Sequence, residues 1–162
     1  MTVGGFPEDN MENLPLFPDC ELKFGSVVCG QHSTATRPVI LAVDDDEDNL
    51  LLIAYALEPL GCCLLTAVDG KSALAIAQRC QPDLILLDIL IPYIDGTEVV
   101  SRLRKDPKTR SIPVVAVTAL ARPEDCDRLL QAGCNDYLTK PYMLDEIEAI
   151  VQRYLRLPAS IS

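Results

Sequence analysis

The sequence contains no tryptophan and only one histidine, His32. With its single imidazole outside the patterned part of the chain, chemistry that needs two histidines, or one inside the main fold, is excluded. No CxxC pair occurs. The seven cysteines (20, 29, 62, 63, 80, 126 and 134) are odd in number, Cys62 and Cys63 are adjacent, and no spacing fits a zinc site. No secretory hydrophobic stretch opens the chain, so the cysteines read as reduced thiols, small hydrophobes of a cytoplasmic protein. There is no basic run either: Lys and Arg total 14 against 24 Asp and Glu, a net charge of −10. Phosphate backbones and anionic lipid surfaces repel such a chain, which argues against nucleic-acid and membrane partners. The longest apolar stretch, Leu84–Pro92, is interrupted by Asp88 and is too short to span a bilayer. P-loop and GxGxxG motifs are missing.

What is present is one domain's worth of chain: 162 residues, 49% hydrophobic, enough to bury a core without cross-links. Residues 1–36 hold four of the eight glycines, the only histidine and no clean periodicity. They read as a flexible N-terminal extension, with Leu14–Phe17 and Phe24–Cys29 as its candidates for local docking. A folded domain is expected over 37–157, and 158–162 is a tail.

From Pro38 onward a regular alternation sets in. Apolar runs at Val39–Val43, Cys62–Ala67, Leu84–Asp88, Val114–Val117 and Asp136–Leu138 read as strands. Helical stripes fill the intervals at Asn49–Leu60, Ser72–Arg79, Thr97–Lys105, Pro123–Ala132 and Leu144–Leu155, with Gly61 and Gly133 as stops. Five strands alternating with five helices predict a doubly wound α/β domain whose parallel sheet is covered on both faces. Ligands bind such sheets outside the carboxyl ends of the strands.

The residues at those ends carry the chemistry. The first strand runs into Asp44-Asp45-Asp46, the third ends in Asp88, the fourth meets Thr118, and the fifth runs into Thr139-Lys140-Pro141. Two unit charges ~4 Å apart repel by about 4 kcal/mol at an effective dielectric of 20. Three ionised carboxylates gathered at one sheet edge therefore call for a counter-cation, and a hard divalent ion such as Mg2+ suits oxygen ligands, with Lys140 as a further counter-charge. Asp46, Glu47 and Asp48 read as an acidic helix start, and Asp95-Gly96 as turn chemistry. An EF-hand reading of Asp44-x-Asp46-x-Asp48 fails, because its sixth position is Asn49 and its twelfth is Tyr55.

Val43-Asp44-Asp45, Leu87-Asp88-Ile89-Leu90-Ile91-Pro92, Asp95-Gly96, Val117-Thr118-Ala119 and Tyr137-Leu138-Thr139-Lys140-Pro141 together resemble the receiver domain of bacterial two-component response regulators, over residues 38–156. The resemblance implies the flavodoxin-like (βα)5 fold with strand order 2-1-3-4-5. It implies Asp88 as phosphoacceptor, Asp44, Asp45 and the Leu90 backbone carbonyl with Asp88 around Mg2+, Lys140 and Thr118 on the phosphoryl oxygens, and Tyr137 as a rotamer switch. It also implies a cis peptide before Pro141. The chain would not be an enzyme in its own right. Its phosphodonor would be a sensor histidine kinase or phosphotransfer protein. With no effector domain expected after the last helix, the output would be a protein target on the face of the fourth helix, fifth strand and fifth helix, with homodimerisation there as an alternative.

In that family Leu90 and Leu120 would flank the path of the hydrolytic water, where neither can orient it. On the fifth helix Met143, Ile147, Ile150, Tyr154 and Leu157 join Leu144, Val151 and Leu155 in a wide apolar stripe. Docking of a partner and burial on two sides explain it equally well. Two competing functions stand beside the phosphoacceptor. One is an unphosphorylated pseudo-receiver that acts only as an interaction module. The other is a haloacid-dehalogenase-like phosphohydrolase using Asp44-x-Asp46, which puts Asp48 where that family has Thr or Val and gives Asp88 no task.

Overall fold

The computed structural model describes residues 37–119 and 122–155. The expected extension 1–36, with His32, Cys20 and Cys29, lies outside the described residues, as do Leu120, Leu157 and the tail.

Five strands, β1 (Val39–Val43), β2 (Cys63–Ala67), β3 (Leu84–Asp88), β4 (Val114–Thr118) and β5 (Asp136–Thr139), form one parallel sheet in the order β2-β1-β3-β4-β5. Helices α1 (Glu47–Leu57), α2 (Gly70–Cys80), α3 (Gly96–Lys105), α4 (Pro123–Ala132) and α5 (Leu144–Leu155) alternate with them. This is the expected flavodoxin-like doubly wound fold. Successive strand residues point to opposite faces and both faces are covered, so the central strands β1, β3 and β4 are apolar up to their carboxyl ends. Leu41, Val43, Ile85, Leu87, Val114 and Ala116 pack on the side of α2, α3 and α4. Ile40, Ala42, Leu84, Leu86, Val115 and Val117 pack on the side of α1 and α5. Burying each such valine, leucine or isoleucine side chain stabilises the fold by about 1.5–3 kcal/mol before entropy is counted.

Several boundaries differ from the sequence expectation, each for a local reason. Helix α1 begins at Glu47, two residues early, because the Asp46 side chain accepts from the Asp48 amide and caps it. It ends at Leu57, where Pro59 supports a 3-10 turn over Glu58–Leu60 in place of a last α-turn. Helix α2 starts at Gly70, since Asp69 accepts from the Ser72 amide. Strand β2 begins at Cys63, and β4 and β5 each run one residue further, to Thr118 and Thr139. Gly133 closes α4 at φ +119°, a conformation that a side chain would strain.

The stripe on α5 resolves in favour of burial for its central residues. Ile147, Ile150 and Val151 are buried and Tyr154 and Leu155 pack against the α1-side core, whereas Met143 and Leu144 remain exposed. Away from the site, Arg104 on α3 ties several segments together. Its guanidinium donates to the carbonyls of Gly133, Arg110 and Ile112 and to Asn135 Oδ1 at 2.7–3.0 Å.

Candidate phosphoacceptor site

β1 is flanked by β2 on one side and β3 on the other, so the chain reverses its direction of winding between β1 and β3. Loops diverge there and leave a crevice at the carboxyl edge of the sheet. Register sets the depth of the site: Val43 pairs with Leu87, so Asp44 follows β1 at the level at which Asp88 ends β3, and Asp88 pairs with Val117.

Asp44 and Asp88 are buried, at 2% and 5% exposure, and Asp45 is exposed. One carboxylate oxygen from each of the three lies within 4.8 Å of the others. Lys140 reaches this group from the end of β5: its Nζ donates to Asp88 Oδ2 at 3.0 Å and to Asp44 Oδ2 at 3.2 Å. Backbone amides take the other oxygens. Leu90 N donates to Asp88 Oδ1 at 3.0 Å, and Asp46 N donates to Asp44 Oδ1 at 2.9 Å. Each buried carboxylate thus has one oxygen on an amide and the other on the shared ammonium, leaving lone pairs free for a cation. Burial alone would lower the pKa of Lys140. The hydrogen bonds and charges of Asp88 and Asp44 outweigh it and hold the ammonium above its ordinary range.

Local devices aim these groups. The Lys140–Pro141 peptide is cis, as the resemblance implies. The Lys140 amide donates to the Thr118 carbonyl at 2.8 Å and fixes the end of β5 beside β4. Beyond Asp88 the loop folds back so that the Gly96 amide donates to the Ile89 carbonyl at 3.0 Å. A Cβ at Gly96 would lie 2.6 Å from Ile89 Cα, so only glycine permits the approach. Asp95 accepts from the Thr97 amide and caps α3, the turn role expected of it.

The structure therefore gathers Asp44, Asp45, Asp88 and Lys140. Thr118, fully buried, ends β4 at the same edge, next to β3 on one side and opposite Thr139 on the other. Leu90 follows Asp88 with its side chain 57% exposed. Tyr137 pairs with Ala116, which puts it on the sheet face of Thr118, and it is exposed. A hydrogen bond to the Cys126 sulfur of α4, first among several causes, raises the pKa of its phenol. The Asp46 side chain caps α1, and the acids whose oxygens converge are Asp44, Asp45 and Asp88, a set in which the Asp44-x-Asp46 reading leaves Asp88 without a task. Sequence reasoning does not single out Tyr142, whose signal is only its place directly after Lys140-Pro141.

The stretch of chain that carries this pocket matches known proteins. The family model of the response regulator receiver domain matches residues 40–152. RpaA of Synechocystis, a DNA-binding dual master transcriptional regulator, is 43% identical over 74% of this chain and 49% of its own length. The chain thus spans about half of that relative. The polar-differentiation response regulator DivK of Brucella anthropi is 37% identical over 72% of this chain and 94% of its own length. Among solved structures, the receiver domain of sensor histidine kinase PA1611 from Pseudomonas aeruginosa, with a magnesium ion coordinated in its active-site cleft, superposes with a TM-score of 0.69 at 36% identity. That match covers 75% of this chain and 99% of the other. The chemotaxis response regulator CheY4 of Vibrio cholerae gives a TM-score of 0.70 at 29% identity, over 74% of this chain and 99% of the other. With fold, acid pocket and family model agreeing over the same stretch, the chain belongs to the response regulator receiver domains of two-component signalling.

Proposed function

We propose that this receiver is a working phosphoacceptor. Asp88 takes a phosphoryl group from a phosphohistidine of a sensor histidine kinase or phosphotransfer protein, and the chain signals by binding a protein target. The observation that carries the reading is the setting of Asp88: a buried carboxylate with one oxygen on the Leu90 amide, the other on Lys140, and two further carboxylates beside it. A carboxylate oxygen of Asp88 attacks phosphorus, the P–N bond to the donor imidazole breaks, and the acyl phosphate forms. Lys140 stays on the transferring oxygens and offsets their charge, and the Thr118 hydroxyl donates to one of them afterwards. Asp44, Asp45 and Asp88 form an oxygen set suited to a hard cation, which the Leu90 carbonyl would join, and Mg2+ bound there would supply further positive charge against the phosphoryl oxygens.

Among the described residues no helix is long and apolar enough to cross a membrane. The reading places the chain in the cytoplasm with its donor, and assigns it no turnover of its own. Exposed Tyr137 beside α4, and Met143 and Leu144 at the start of α5, support the α4-β5-α5 face as the surface read by the target or by a second copy. The test is intact mass after acetyl phosphate, with and without Mg2+, on wild type and Asp88→Asn. One added phosphoryl group, dependent on Mg2+ and lost in the variant, is expected. No labelling of wild type would mark a pseudo-receiver, and full labelling of Asp88→Asn would move the acceptor elsewhere.

A further inference from the structure

Tyr142 carries a polar atom that nothing in the described structure uses. Its ring packs on the α1–α5 side of the sheet, against the cluster that holds Leu50, Ile53 and Ile147. Its hydroxyl is sealed from solvent and has no hydrogen-bond partner among the described residues. A buried O–H without an acceptor is costly, and phenylalanine would fill the same space without that cost. The charges that act on this hydroxyl belong to the acid pocket: Lys140, Asp44, Asp88 and Asp46, with Asp44 foremost among the carboxylates. Burial first, then the carboxylates, push the phenol above its ordinary range against the pull of Lys140, so at neutral pH it is a protonated donor. Asp44 has acceptor capacity to spare, since its Oδ1 takes only the Asp46 amide and its Oδ2 only Lys140 among the described bonds.

We propose that Tyr142 is a positioning residue of the acid pocket, its hydroxyl donating through one buried water to the Asp44 carboxylate and fixing that carboxylate for a cation. The inference rests on the reading of the pocket as a Mg2+-dependent phosphoacceptor site. A buried water needs several polar partners, and the phenol and the Asp44 carboxylate would supply two of them. Groups that hold a ligating carboxylate in place commonly change metal affinity by roughly 10–100-fold.

The test compares the full-length wild type with Tyr142→Phe, which keeps the ring and its packing. Mg2+ is titrated by calorimetry, melting is followed in EDTA, and tyrosine side chains labelled at Cζ are observed by NMR. The expected result is a Mg2+ dissociation constant raised about tenfold in the variant. In wild type, one tyrosine resonance that the variant lacks should shift on adding Mg2+. Equal dissociation constants, with the variant melting higher in EDTA, would make the hydroxyl idle and overturn the inference while leaving the phosphoacceptor reading intact. A raised constant without a shifting resonance would assign the loss to packing and overturn it as well. Wild type that binds no Mg2+ would remove the reading of the pocket and this inference together.

Discussion

Replacing Lys140 by methionine removes the one cation that, among the described residues, pairs with the clustered Asp44 and Asp88, and the size of the effect follows from the geometry. The ammonium lies 3.0 Å from Asp88 Oδ2 and 3.2 Å from Asp44 Oδ2, with its side chain 23% exposed. At an effective dielectric of 20 each contact is worth about 5 kcal/mol of gross attraction. Most of that is offset by the water the ammonium gives up on folding, and deleting one partner of a buried pair commonly costs about 3–5 kcal/mol. Partial exposure, and the freedom of a carboxylate to take up a proton, bring the expected loss to about 2–3 kcal/mol without metal. For a domain of this size that corresponds to a melting point lower by roughly 6–15 °C. With Mg2+ in the pocket the carboxylates have another counter-charge, so the deficit should shrink to under about 1 kcal/mol. The pH dependence has a definite sign. A lysine whose pKa is raised by folding stabilises fully below the ordinary lysine range, and the stabilisation is lost as pH rises through its elevated value. The gap between wild type and Lys140→Met should therefore close in strong alkali. Urea unfolding in EDTA and in Mg2+, each at neutral and alkaline pH, measures all of this. A variant as stable as wild type in EDTA, or equally destabilised with and without Mg2+, would refute the argument.

Three further outcomes are expected. Phospho-Asp88 should decay faster after donor removal in Leu90→Asn/Leu120→Glu than in wild type, because polar groups would then orient the attacking water; equal or slower decay would reject a shielding role for the leucines. Arg104→Ala should lower unfolding free energy by about 2–4 kcal/mol in a denaturant melt, since carbonyls from two loops lose a shared charged donor; a loss under about 0.5 kcal/mol would show that water replaces it. Tyr93, 93% exposed, holds φ at +69° in the loop after β3, so Tyr93→Asn should raise stability by about 1 kcal/mol, and a lower melting point would show that the tyrosine ring makes a compensating contact.

The sheet and the main site residues were legible in the sequence because both follow from local pattern. Apolar runs closed by an acid, as at Val43-Asp44 and Leu87-Asp88, announce a buried parallel strand and the group at its end, and winding order alone brings those ends together. Helix starts were legible to within two residues, the error arising where an aspartate caps the amide two or three residues ahead of it, as Asp46 and Asp69 do. What stayed hidden depends on contacts that no local window records. Arg104 meets Gly133 and Asn135 across 29 and 31 positions. The missing partner of Tyr142 is a property of its surroundings, and the left-handed backbone of Tyr93 runs against what a bulky side chain suggests.

The reach of Lys140 has a consequence for how the molecule comes into being. Its contacts with Asp44 and Asp88 close loops of 96 and 52 residues, among the most non-local in the domain. Loop-closure entropy must be met before such contacts return anything, so they form late along the folding path. During synthesis the three acids are in place long before the lysine that offsets them leaves the ribosome. A nascent chain stopped before β5 therefore carries an acid cluster without its ammonium, on a sheet whose β4 edge is open. On the proposed phosphoacceptor reading, labelling of Asp88 would report that the final strand has docked, not merely that Asp88 is present.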